Sequence, residues 1–162
     1  MARARERDPG VGALPCLCGN LRRAARLVST LYESEPGWPK DVSVAQFSLL
    51  QAIAREGTST NARLGWLLGI DQTTLSRSLA LLEERGLIGI ATGVDRRERI
   101  ITLSDEGRTQ LRRVERAWRR AQARLRGRFG ADHWRRLEQG LAALVSAARA
   151  PAAELGRSPA MS

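Results

Sequence analysis

The stretch "GIDQTTLSRSLALLEERGLI", residues 69 to 88, constrains the fold most, because a helix with two marked ends runs straight into β-prone residues. Asp71 can accept a backbone N–H two or three residues on and so cap the helix, and Gly86 suits the left-handed residue just past its end. At about 100° per residue, Leu75, Ser78, Leu79 and Leu82 fall on one side, and Thr73, Ser76, Arg77 and Ala80 on the other. The second side carries two hydroxyls and a guanidinium near the helix N-terminus, with Gln72 beside them. Such groups hydrogen-bond base edges and phosphates. An ordinary amphipathic surface helix has the same pattern, so the flanking elements must decide between the two.

Upstream, Leu17, Leu21, Ala24, Val28 and Leu31 recur at helical steps after Pro15 and predict a helix over residues 15 to 34. "EPGWPK" breaks it. Ser43 and Gln46 form a capping box, with Val42 and Phe47 placed as a hydrophobic staple, so a second helix runs from Val44 to about Arg55. "EGTSTN" reads as a turn; Ser59 or Thr60 can cap a third helix with Leu64, Leu67 and Leu68 inward. Only "LGI" separates that helix from the opening one, which is the layout of a helix-turn-helix. After Gly86, "LIGIA" and "RIITL" predict a β-hairpin whose tip is the charged "TGVDRRE". A helix-turn-helix followed by a hairpin is a winged helix, its tip reaching a neighbouring groove or backbone. Ser104, with Asp105 and Glu106, opens a long helix; Asp132 opens another with Trp134, Leu137, Leu141, Leu144 and Ala148 on one side. These apolar stripes exceed what the small unit covers, which predicts a partner subunit. The expected class is mainly α with a small β-hairpin wing. Residues 42–103 form the winged helix-turn-helix, residues 15–34 and 104–149 the dimerisation helices, and residues 1–14 and 150–162 the tails.

The 162 residues suffice for a core, and 43% hydrophobic content argues against a wholly disordered chain. No run of 18 apolar residues and no signal core is found, which points to the cytoplasm rather than to a membrane. The formal net charge of +10 suits a polyanionic partner. It is unevenly placed: residues 104–128 hold nine Arg against three acids, residues 59–103 six against five. Bulk charge therefore permits DNA binding without locating it.

With "LRRAARLVSTLY", "SVAQFSLLQAI", "LGIDQTTLSRSLALLEERGLI" and "VDRRERIITLSDEG" in this order, the sequence over residues 16–148 resembles a MarR-family transcriptional regulator. The resemblance implies a homodimer of winged helices on pseudo-palindromic double-stranded DNA, acting as a repressor and released by a small aromatic or phenolic effector. It implies that Gln72, Thr73, Thr74, Ser76 and Arg77 face the major groove. Asp95 and Arg97 match the family's wing motif, in which the Arg enters the minor groove and the Asp holds the loop. In "DRRER", Arg96 and Arg99 are further candidate phosphate contacts. Gly65 and Trp66 depart from the alanine-rich pair more typical of the family.

Family members commonly bind aromatic acids, and Tyr32, Trp38 and Phe47 are candidates for such a cleft; the four tryptophans otherwise read as core. Cys16 and Cys18 would point about 200° apart on a helix, which disfavours a bond between them unless the helix frays. Some relatives sense peroxides through a first-helix cysteine, and Arg22 and Arg23 would help to lower a thiol pKa. Two small buried residues at a dimer contact is the plainer reading. His133, the only histidine, cannot complete a zinc site with two cysteines at familiar spacing, and no nucleophile, paired-carboxylate or phosphate-loop motif is present. No enzyme, metal or cofactor is expected. A cysteine-based redox regulator of the same fold, a non-specific nucleic-acid binder using the Arg-rich helix, and a protein-interaction winged helix stay open beside the operator-reading regulator.

Overall fold

In the computed structural model of the chain, residues 16–93 and 98–149 are described; the tails, and Asp95, Arg96 and Arg97 of the wing, lie outside them. The described elements are α1 (Leu17–Glu33), α2 (Val44–Glu56), β1 (Thr58–Thr60), α3 (Asn61–Leu68), α4 (Gln72–Glu84), β2 (Ile88–Thr92), β3 (Arg99–Leu103), α5 (Asp105–Phe129) and α6 (Ala131–Arg149). The architecture is thus mainly α with a small antiparallel sheet, a winged helix-turn-helix. The chain forms two compact units that divide after Ala121, within α5.

Local chemistry accounts for the starts of α2 and α3. The Ser43 hydroxyl accepts the Gln46 N–H at 3.2 Å while the Gln46 side chain accepts the Ser43 N–H at 3.0 Å, closing the capping box of α2. Thr60 caps α3 by accepting from the Arg63 N–H at 3.2 Å. The stretch expected as a turn contains a strand instead. Thr58, Ser59 and Thr60 pair with Thr102, Ile101 and Ile100, so the sheet has three strands in the order β1-β3-β2. Three residues carry too little periodicity to announce a strand, and only the distant β3 makes it one.

One face of each element meets a common core: Phe47, Leu50 and Ile53 from α2, Leu64 from α3, Leu75, Leu79 and Leu82 from α4, Ile101 from β3 and Val114 from α5 are all at most 2% exposed. Ser104 joins the hairpin to α5. Its hydroxyl donates to the Gly86 carbonyl at 2.6 Å and accepts from the Gly107 N–H at 2.9 Å, while its own N–H donates to Leu87 O at 3.1 Å. Gly107 then rides on the backbone; a Cβ there would lie 1.9 Å from Leu87 O.

In the second unit, α6 starts at Ala131, one residue before the expected opener, and Asp132 sits in its first turn paired with Arg135 at 3.0 Å. Trp134 Nε1 donates to Glu138 at 2.7 Å. None of the residues of α6 is buried, and Leu137, Leu141 and Val145 are exposed. On α1, Leu17, Leu21 and Leu27 are likewise exposed and only Tyr32 is buried. Among the described residues no helix is long and apolar enough to cross a membrane.

Candidate nucleic-acid interface

Helix α4 is set by both of its ends. Asp71 accepts the Thr74 N–H at 2.9 Å and the Thr74 hydroxyl proton at 2.7 Å. These bonds to Thr74 hold the Asp71 carboxyl below its ordinary value. Before the cap, Gly69 closes α3 in the left-handed conformation at φ +64°, and the Ile70 N–H returns to Gly65 O at 3.1 Å. Gly65 then lets α4 approach closely: a Cβ there would come within 3.1 Å of Ile70 O and 3.3 Å of Gln72 Nε2. The departure from the family's small pair therefore has a packing reason at Gly65.

Leu75, Leu79 and Leu82 lock one side of α4 into the core, which leaves Gln72, Thr73, Thr74, Ser76, Arg77 and Ala80 exposed on the rest. Thr74 has its hydroxyl proton committed to the cap, so it faces outward as an acceptor only. Ser78, read from the periodicity as packing, is half-buried and donates to Thr74 O at 3.0 Å. Arg99 is exposed at the start of β3, opposite Thr92. At the base of the wing the Gly93 N–H donates to Glu98 O at 2.8 Å.

The other candidates are placed as follows. Tyr32, Trp38 and Phe47 are buried at 7%, 5% and 2% exposure. Trp38 meets Phe47 edge-on at 5.6 Å between ring centroids, and Phe47 meets Trp118 at 5.9 Å, an aromatic cluster inside the unit. Burial raises the Tyr32 phenol above its ordinary value. Trp66, read as core, is 57% exposed, with the Arg63 guanidinium 5.2 Å from its ring and paired to Glu56 at 2.7 Å. Cys16 and Cys18 are free thiols and both are exposed in the single chain. Among the described residues no three His, Cys, Asp or Glu side chains gather as a metal site.

One feature escaped the sequence. A cavity of about 690 Å³ opens between α2, α3 and α5, with Ala52, Leu67, Leu68 and Leu111 as apolar lining and Gln51, Arg55, Arg63 and Glu115 as polar groups. The alanines of "QAIARE" leave this space, but the walls come from three separate helices. A smaller cavity, about 260 Å³, lies against Trp38.

Residues 40–98 match the model of the MarR family. The transcriptional regulator MosR of M. tuberculosis, solved in complex with DNA, is 33% identical, with 83% of this chain and 97% of that one covered and a TM-score of 0.73. The transcriptional repressor CouR, bound to a 23-mer DNA duplex, is 29% identical over 80% of this chain and 92% of its own, with a TM-score of 0.71. The regulator PcaV of Streptomyces coelicolor, solved with its natural ligand, shares the fold at a TM-score of 0.74 and 22% identity, covering 92% of this chain and all of its own (100%). No curated protein matches the chain. With the winged helix-turn-helix, the exposed polar face of α4 and this likeness along nearly the whole length of MosR, the chain belongs to the MarR family of transcriptional regulators.

Proposed function

We propose that the chain is a cytoplasmic, sequence-specific DNA-binding repressor that sits as a homodimer on a pseudo-palindromic operator. Helices within residues 15–34 and 104–149 clasp the two subunits, and residues 42–103 of each read one half-site. The observation that carries this reading is the free face of α4, where Gln72, Thr73, Thr74, Ser76 and Arg77 lie together on a helix whose opposite side is locked into the core. A rigid helix with polar groups at its N-terminal end suits major-groove readout. The DNA-bound structures of MosR and CouR support it. Asp95 and Arg97 serve the wing, with Arg96 and Arg99 as phosphate contacts. The cavity between α2, α3 and α5 is the proposed effector site: its size suits a small organic molecule, and its mixture of apolar wall and polar groups suits an aromatic acid. Tyr32 and Phe47 serve the core instead, and Trp38 borders the smaller cavity.

The test compares Arg77→Ala with wild type on operator and scrambled duplexes over a range of salt. A base contact predicts a loss of about 1–3 kcal/mol on the operator and a narrower gap between the two duplexes. An unchanged gap would mean that Arg77 does not read sequence, and the same result with Arg97→Ala as well would mean that sequence is read elsewhere or not at all. The exposure of both Cys16 and Cys18 favours a second reading, in which oxidation rather than a ligand releases DNA. DNA release on mild oxidation, seen in the wild type and absent in the double Cys→Ser variant, would put that reading first.

A further inference from the structure

The side chain of Arg85 leaves the reading unit. It sits at the C-cap of α4, and its guanidinium crosses 44 residues of sequence to Asp41 in the connection between α1 and α2. One Nη donates to the Asp41 carbonyl at 2.7 Å and the other to the Asp41 carboxylate. Asp41 belongs to a connection that is itself held from several sides. Arg120 of α5 donates to Glu35 at 3.1 Å and to Pro36 O at 2.6 Å, and the Glu35 side chain is only 4% exposed. Trp38 Nε1 donates to Val42 O at 2.6 Å, and the Val44 N–H donates to Glu33 at 2.8 Å. The C-terminal end of α4 is therefore moored to a fixed point outside the helix-turn-helix. The Asp41 side chain is 63% exposed, and ion pairs so open to solvent contribute little to stability. What two-point attachment of a planar guanidinium does supply is direction.

We propose that Arg85 is a positioning residue for DNA binding: by clasping Asp41 it fixes the tilt of α4, and through that tilt it sets the half-site spacing the dimer accepts. This rests on the operator-reading function proposed above. Lever geometry gives the tie its leverage. The N-terminal end of α4 lies 13 residues from the mooring, about 20 Å along the helix axis. Leu75, Leu79 and Leu82 keep the helix on the core, so loosening the tie frees only a small tilt: about 3° over that length moves the reading end by about 1 Å, a fraction of the base-pair step of about 3.4 Å. Dimers of this kind depend on matching the distance between two reading helices to the helical repeat of DNA, so such a shift changes which operators fit.

The experiment first selects an operator from random-sequence duplexes with the wild-type protein. Affinities are then measured for that operator, for versions with one base pair inserted or removed at its centre, and for an isolated half-site. Wild type should lose tenfold or more on the altered spacings. In Arg85→Ala and in Asp41→Ala that penalty should shrink at least threefold, with half-site affinity and thermal midpoint near those of wild type. Arg85→Lys, which keeps the charge and a single contact to Asp41, should recover part of the penalty. An unchanged penalty in Arg85→Ala overturns the proposal. So does an equal loss on every duplex, which marks a phosphate contact or a folding defect. A wild type that selects no duplex would sink operator reading itself, whereas selection followed by an unchanged penalty sinks only the role of Arg85.

Discussion

Gly107 and Gly127 lie on the same helix and ask opposite things of a methyl group. At Gly107 a Cβ would stand 1.9 Å from Leu87 O, a clash with backbone that no rotamer relieves, whereas at Gly127 nothing lies within 4 Å. Gly107→Ala should therefore cost about 3 kcal/mol by overpacking, while Gly127→Ala should stabilise by about 0.5–1 kcal/mol through helix propensity. Urea unfolding midpoints check both, and equal shifts would refute the close approach of the first turn of α5 to the Leu87 backbone. Residues of this kind show where reading a chain fails. The capping groups Ser43, Thr60, Asp71 and Ser104 act on neighbours two to four positions away, so their roles were visible in the string of letters. Trp66 was misjudged because tryptophan is usually inside, while the helix phase that exposes it depends on Leu64 and Gly65 packing beneath α4.

Among the elements, α4 ties a pH response to its start. The Asp71 carboxyl is held below its ordinary value by the Thr74 N–H and hydroxyl, so the cap is stronger when ionised. A lowered folded value means that its contribution is complete above the unfolded aspartate value and disappears as pH falls through the folded one. The start of α4 should hence be unmoved from neutral pH down to the ordinary aspartate range and fray only below it. The Thr74 amide resonance followed against pH reports this directly, and Asp71→Asn should remove the titration while keeping an acceptor; a midpoint at or above the ordinary aspartate value would contradict the cap. Helices and hairpin were legible because each repeats its own period over many residues. β1 and the cavity were not, since β1 exists only through its pairing with β3 and the cavity only through the gap between α2, α3 and α5.

For the whole molecule, the exposed leucines of α1 and the unburied α6 point to a second copy. Scattered apolar residues need no partner, but whole helix faces do. Light scattering at micromolar concentration should give about twice the chain mass of 17.8 kDa, and Leu141→Glu should shift it towards the monomer. A wild-type monomer would remove the basis for palindromic binding. The stripes were readable in the sequence, although which residues meet across a subunit boundary was not, because the string describes one copy. The junction at Ser104 has a further consequence, for how such proteins diversify. The bonds from Ser104 to Gly86 and Leu87 close the chain across the base of the hairpin, so both ends of that excursion are anchored independently of what lies between them. Lengthening a loop whose ends are already fixed costs only about 0.6 kcal/mol per doubling. Evolution or an engineer can therefore exchange the segment between these anchors, in length and in sequence, while the rest of the fold keeps its shape.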